Sequence, residues 1–355
     1  MADRKRTVMD IALIGRIDLT NTLVDGQTVK TRTLYRALRE YTNYNVHLVE
    51  TKNYRQRPLS VAWQLIKAIS KSDDVILIVA RNGRRVFFPL MYVIAKLLRK
   101  RIYHDCIGGR LAEEVREFPR WKKYLNSFRA NWMESELLVS NLRAEGIDNA
   151  IYLPNFKFFD TPTDRCIPKV PPYRFCTFSR VIKVKGISDA IHAMKELNRQ
   201  DDTHHYFLDI YGPIDDDYKD EFDRLLVECK DYVSYKGIAD PDKGAKIVGE
   251  YYALLFPTRY LGEGFPGTIL DALFAGVPVI ASRWAYYSQM LHDNVTGFSY
   301  PFDNPDQLKC AILKLVSLNR EAYVELCDNC KKAAEQYSAK EVVAEIVNQL
   351  RIGCK

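Results

Sequence analysis

What most limits the fold of this chain is a rhythm. Short runs rich in β-branched residues alternate with longer amphipathic stretches: "VMDIALIG", "QTVKTRTLYRALREY", "NVHLVE", "SVAWQLIKAIS" and "DVILIVA" read as strand, helix, strand, helix, strand. The same alternation runs through "RRVFFPLMYVIAKLLRK", "RIYHDCIGG" and "SELLVSNLRAEGI" to "AIYLPNF". Strands separated by helix-length segments argue for parallel sheets covered by helices. After Asn155 the stretch "KFFDTPTDRCIPKVPPY", with Pro162, Pro168, Pro171 and Pro172, reads as a linker. A second series then starts with "RFCTFSRV", "SDAIHAMKEL", "YFLDIYG", "YKDEFDRLLVEC" and "VSYKGI". The expectation is an α/β chain of two doubly wound domains facing across a cleft, residues 1–158 and 173–337, joined by a linker over 159–172. A last helix over 338–355 opens on Ser338 as N-cap, with Glu341 at the capping-box position.

Composition sets the outer bounds. At 355 residues and 47% hydrophobic, the chain can bury two large cores. No apolar run approaches the ~20 residues of a membrane-spanning helix; the longest, Val86 to Leu98, is too short and carries Lys96. The first residues lack a small-residue cleavage pattern, so the chain reads as cytoplasmic with no targeting segment. The eight cysteines are scattered, several of them in apolar stretches. Cys327 and Cys330 form one CxxC pair without a second pair or histidine at zinc spacing, and read as two reduced thiols one turn apart.

Charge divides the halves. Residues 1–150 hold 27 Lys and Arg against 16 Asp and Glu, whereas residues 151–355 hold 25 against 29. Residues 51–100 alone hold 11 basic and 2 acidic side chains, followed by "FPRWKKYLNSFRANW" with its interleaved aromatics. Such a surface over residues 51–130 suits an anionic membrane or a phosphorylated acceptor, and equally an ordinary solvated face of helices. No nucleic-acid motif accompanies the charge.

The chemistry concentrates in "GEGFPGTILDALFAGVPVIAS", Gly262 to Ser282. Glycines let backbone approach a ligand, and a helix's first turn offers unpaired N–H groups to negative charge. The amides of Gly267 and Thr268 are placed to face phosphate oxygens, and Pro266, without an N–H, shapes the turn. Glu263 and Asp271, eight positions apart, are candidates to accept hydrogen bonds from sugar or ribose hydroxyls. In "FSRVIKVKGISDAI" a strand ends at Arg180, and Lys185 follows just before Gly186. Two cations at a strand's carboxyl end suit a diphosphate, arginine as a bidentate fork and lysine as a point charge; taken alone, they also suit a surface loop.

Together these residues resemble the retaining glycosyltransferases of the GT-B fold, family 4, as found in bacterial polysaccharide assembly. The likeness rests on the "glutamate, seven residues, acid" signature from Glu263 to Asp271, on the Arg and Lys-Gly of "SRVIKVKG", and on "DGQTVKT", read as a glycine loop after the first strand. It covers the chain from about Ile11 to the last helix, which in a GT-B fold crosses back to the N-terminal domain. The resemblance implies that Arg180 and Lys185 bind the donor diphosphate, that Glu263 contacts the donor sugar and that Asp271 holds the ribose. It places Gly264, Phe265, Gly267 and Thr268 in the donor site, and Gly26 and Gln27 near donor phosphate and acceptor. The sequence departs from the pattern with Asp271 where glutamate is usual and Gln289 where relatives often carry glutamate. His104 in "YHDCIGG" is left without a catalytic role.

The resemblance further implies a nucleotide-sugar donor, UDP- or GDP-linked, no cofactor, and a glycan or lipid-linked glycan acceptor taken by the basic N-terminal domain at the inner membrane face. Two side-chain cations neutralise the leaving group, so no metal is expected; Asp215 to Asp217 follow a different strand and read as a solvated loop. A nucleotide-sugar epimerase, a glycan phosphorylase and a non-catalytic nucleotide-sugar-binding protein remain open on the same fold. A dinucleotide oxidoreductase does not fit, because no G-x-G-x-x-G follows the first strand.

Overall fold

A computed structural model describes residues 9–352 apart from 21–22, 24, 159–170, 200–204 and 303. Most of the expected linker, including Pro162 and Pro168, lies outside the described residues. The chain divides into two compact units, residues 1–156 with 337–355, and residues 157–336.

The first unit is built from β1 (Asp10–Gly15), α1 (Gly26–Tyr41), β2 (Asn45–Glu50), α2 (Pro58–Lys71), β3 (Asp74–Ile78), α3 (Arg81–Leu97), β4 (Arg101–Asp105), α4 (Leu111–Glu117), α5 (Arg120–Leu125), β5 (Ala130–Met133), α6 (Glu136–Ala144) and β6 (Ala150–Tyr152). Its six strands run in the order β2-β1-β3-β4-β5-β6, and every pairing is parallel. Helices cover both faces, so the central strands are apolar on both sides: β1 buries Ile11 to Gly15 and β3 is buried throughout. The edge strand β2 is largely half-exposed.

The second unit contains β7 (Tyr173–Phe178), α7 (Ile187–Leu197), β8 (Tyr206–Tyr211), α8 (Lys219–Glu228), β9 (Val233–Gly237), α9 (Gly244–Val248), β10 (Ala253–Phe256), α10 (Gly267–Phe274), β11 (Val279–Ser282), β12 (Gly297–Tyr300), α11 (Gln307–Val316) and α12 (Arg320–Ala334). Its strands are again all parallel, in the order β12-β11-β10-β7-β8-β9. A core of Phe175, Ile187, Ile191, Leu208, Leu255 and Ile280 lies between sheet and helices. Cys327 and Cys330 are buried free thiols on α12, and Cys330 Sγ lies 3.4 Å from Thr296 O.

The final helix, α13 (Ala339–Ile352), belongs to the first unit, where it packs on α1. Ser338 caps it, Oγ accepting from Glu341 N at 3.3 Å. Among the described residues no helix is long and apolar enough to cross a membrane.

Candidate active site

Strand order in the second unit reverses between β7 and β10. The carboxyl ends of such a pair are where open α/β sheets bind ligands, because the two crossovers part there and leave a crevice. Beyond β7 come Ser179, Arg180 and a 3-10 turn, Lys183–Lys185, which hands over to α7 at Gly186. Gly186 has φ 67°, and a Cβ there would stand 1.9 Å from Pro257 O, so only glycine permits this approach to the loop after β10. Arg259 N donates to Val184 O at 2.8 Å and fastens the two loops further.

Lys185 meets Glu263 across this junction. Their side chains form a close ion pair, each 10% exposed. Glu263 also accepts from Thr258 Oγ1 at 3.0 Å, and Thr258 O in turn accepts from Ser282 Oγ at 2.5 Å. The Lys185 ammonium lies 5.5 Å from the ring centres of both Phe256 and Tyr260. Arg180 is exposed, and its guanidinium makes no hydrogen bond or ion pair among the described residues.

The first turn of α10 completes this end of the unit. Pro266 occupies the N-cap position and no side chain among the described residues caps the helix, so the amides of Gly267 and Thr268 are left to solvent or ligand. Thr268 Oγ1 is buried there without a hydrogen-bond partner among the described residues. The preceding loop is held by Gly264 O, which accepts from Trp284 Nε1 at 3.1 Å, and by the buried ring of Phe265. One turn along α10, Asp271 is buried and bonded to Lys157 Nζ at 2.5 Å. Burial pushes the Asp271 carboxyl above its ordinary range while Lys157 pulls it down. A Cβ at Gly244 would stand 2.5 Å from Asp271 Oδ2, so this glycine lets the α9 backbone close on the shorter acid.

The second unit thus gathers Arg180, Lys185, Glu263, Gly264, Phe265, Gly267, Thr268 and Asp271 on the loops that follow β7 and β10 and on α10. Sequence reading missed Lys157, Thr258 and Gly244. Lys157 stands 114 positions from the carboxylate it binds, beyond the reach of any spacing rule.

Gly26 and Gln27 belong to the other unit and do not form a glycine loop. They are the first two residues of α1, whose N-cap is Asp25: its carboxylate accepts from Thr28 N at 3.3 Å and Thr28 Oγ1 at 2.8 Å. The missed signal was an aspartate one residue before a helical pattern. Gln27 Nε2 donates to Ile78 O at 3.0 Å, at the reversal point between β1 and β3. Deeper in this unit Lys30 Nζ contacts Asp105 at 2.6 Å, Glu134 at 2.9 Å and Cys106 O at 2.9 Å, while Arg84 pairs with Glu114 at 2.6 Å. His104 is wholly buried, edge-on to Phe88 at 4.9 Å; burial, with Arg84 and Lys30 adding to it, holds its pKa well below the usual value. It is a neutral core ring. Asp215 caps the short turn after β8 by accepting from Asp217 N at 3.2 Å.

Two doubly wound units with this strand order define a GT-B architecture. HepE from Anabaena, solved in complex with UDP, superposes over 97% of this chain and 100% of that chain with a TM-score of 0.74 at 12% identity. Sucrose-phosphate synthase from Thermosynechococcus elongatus does so over 97% and 98%, with a TM-score of 0.74 at 14% identity. Residues 167–337 match the family model described as glycosyl transferases group 1. The amylovoran biosynthesis glycosyltransferase AmsK of Erwinia amylovora is 25% identical over 187 residues, 50% of this chain and 45% of that protein. The GtfA subunit of the UDP-N-acetylglucosamine–peptide N-acetylglucosaminyltransferase of Streptococcus gordonii is 29% identical over 191 residues, 50% of this chain and 35% of that one. The matches therefore span less than half the length of these curated relatives.

Proposed function

We propose that this chain is a retaining glycosyltransferase that moves a sugar from a nucleotide-diphosphate donor to a hydroxyl of a glycan, lipid-linked and destined for a surface polysaccharide such as a capsule. In this reading it works without a metal, in the cytoplasm at the inner face of the membrane. The observation that carries the reading is the meeting of an unpaired Arg180, the Lys185–Glu263 pair and the uncapped start of α10 at one strand-order reversal.

As the bond between anomeric carbon and phosphate oxygen breaks, negative charge grows on the departing diphosphate. Arg180, Lys185 and the amides of Gly267 and Thr268 stabilise that charge in place. Lys185 divides its charge between the phosphate and Glu263, and Glu263 keeps an oxygen for a sugar hydroxyl. Asp271, steadied by Lys157, accepts from the ribose. The leaving phosphate oxygen takes the acceptor hydroxyl's proton on the same face as attack, which preserves anomeric configuration.

The test is to incubate the protein with UDP- and GDP-linked sugars, with and without lipid-linked glycans, and to follow nucleotide release and the anomer formed. Acceptor-dependent release from one donor with configuration kept is expected. Conversion of the nucleotide-sugar with no acceptor would mark an epimerase, and binding without turnover a non-catalytic protein.

A further inference from the structure

One face of the first unit is dressed for a partner that sugar transfer does not require. α2 buries Val61, Leu65, Ala68 and Ile69 against the sheet, yet Leu59, Trp63 and Ile66, at i, i+4 and i+7, are 85%, 63% and 71% exposed. α3 repeats the arrangement. It buries Phe87, Phe88, Met91 and Ile94, while Leu90, Val93 and Leu97 face out, the last at 76% exposure. A helix on a globular surface ordinarily carries one apolar stripe, so a second stripe on two successive helices needs a cover.

The stripes share a face. The steps from β2 to β3 and from β3 to β4 run the same way across the sheet, and right-handed crossovers put both helices on the same side. Tyr54, ahead of α2, packs edge-on against Phe87 of α3 at 5.5 Å. The two helices themselves carry charge of one sign. Arg57, Lys71, Lys96 and Arg99 are exposed and form no ion pair among the described residues, and Lys67 lies over the Trp63 ring at 5.0 Å. The only two acids of residues 51–100, Asp73 and Asp74, are already paired with Lys100 and Arg101.

We infer that this α2–α3 face docks on an anionic phospholipid bilayer, its apolar stripes entering the headgroup boundary and its cations meeting lipid phosphates. A second copy of the chain is the poorer cover, because a two-fold interface would bring like charges together. The inference gives a place to the lipid-linked acceptor of the proposed function and rests on that reading only for its purpose; vesicle binding needs no sugar transfer.

The test is sedimentation with vesicles of phosphatidylcholine alone or mixed with phosphatidylglycerol, together with tryptophan emission. Trp63 is the exposed tryptophan, and Trp121, Trp132 and Trp284 are buried, so a blue shift reports its insertion. Binding to the mixed vesicles, a blue shift and weakening by salt are expected, with affinity falling about tenfold or more in Trp63→Glu and in Lys67→Glu/Lys71→Glu. Both variants should unfold as the wild type does and keep its nucleotide affinity. Equal binding to neutral vesicles, no binding, undiminished binding by Trp63→Glu, or a solution dimer abolished by that substitution would each overturn the inference. Loss of nucleotide-sugar turnover with vesicle binding intact would count against the enzyme reading alone.

Discussion

The two units wind six parallel strands outward from a reversal point, and each begins a helix beside it, but they finish those helices in opposite ways. α1 starts behind Asp25, whose carboxylate accepts from the Thr28 amide and also pairs with Arg16. α10 starts behind Pro266 with no side-chain cap. The positive end of one helix is satisfied by the protein's own anion, and that of the other is left for an anion from outside. Lys30 and Arg84 of the first unit are buried and matched by carboxylates, and Lys185 of the second is likewise matched, whereas Arg180 is exposed and unmatched among the described residues. The same topology therefore does not confer the same site; the difference lies in the first turn of one helix and in the loop residues beside it.

The contrast can be broken hardest at Lys185. Lys185→Met strands Glu263 as a buried, unpaired carboxylate, and urea denaturation should show a loss of about 3–5 kcal/mol. Adding Glu263→Gln should restore most of it without restoring turnover. A single variant as stable as the wild type would mean that the pair does not hold the two loops. Next comes Arg180→Ala, expected to cost roughly a hundredfold in turnover, about 3 kcal/mol of barrier, while moving stability by no more than about 0.5 kcal/mol. Lys30→Met in the first unit should do the reverse, lowering stability and sparing nucleotide affinity. If both variants fail in the same assay, the division between units is wrong.

A smaller effect should appear in the pH dependence of stability. Burial raises the Asp271 carboxyl above its ordinary value, so the folded chain holds that proton at pH values where the unfolded chain has released it. Its contribution is therefore complete below the ordinary carboxylate pKa and is lost as pH climbs through the raised one. Urea midpoints of wild type and Asp271→Asn should diverge in that direction, and Lys157→Met should carry the loss to higher pH; parallel curves would discount the burial argument. The smallest change is expected from Asp25→Ala, which removes a cap for about 1 kcal/mol. Calorimetry should find its nucleotide affinity unaltered.

Much of this was legible in the chain, for identifiable reasons. β1 and β3 are short apolar runs between helix-period segments, so their local pattern and their buried position agree. β5 was not legible: four residues, "ANWM", end a basic aromatic stretch and are too few to show a period of two. Glu263, Asp271, Arg180 and Lys185 were found because each pair sits within one loop-and-helix segment, where spacing carries information. Contacts made by folding left no such trace. The Lys185–Glu263 pair spans 78 positions and the Lys157–Asp271 pair 114, so neither could be read from either partner's surroundings.

The central claim is that the second unit holds a nucleotide diphosphate through Arg180, Lys185 and the open start of α10. Isothermal titration of UDP and of GDP into the wild type and Arg180→Ala tests it most directly. The account predicts saturable binding of one nucleotide and a ten- to hundredfold weaker affinity in the variant, as expected for about 1.5–3 kcal/mol from a charged hydrogen-bonding group. Equal affinity in the two proteins would contradict it.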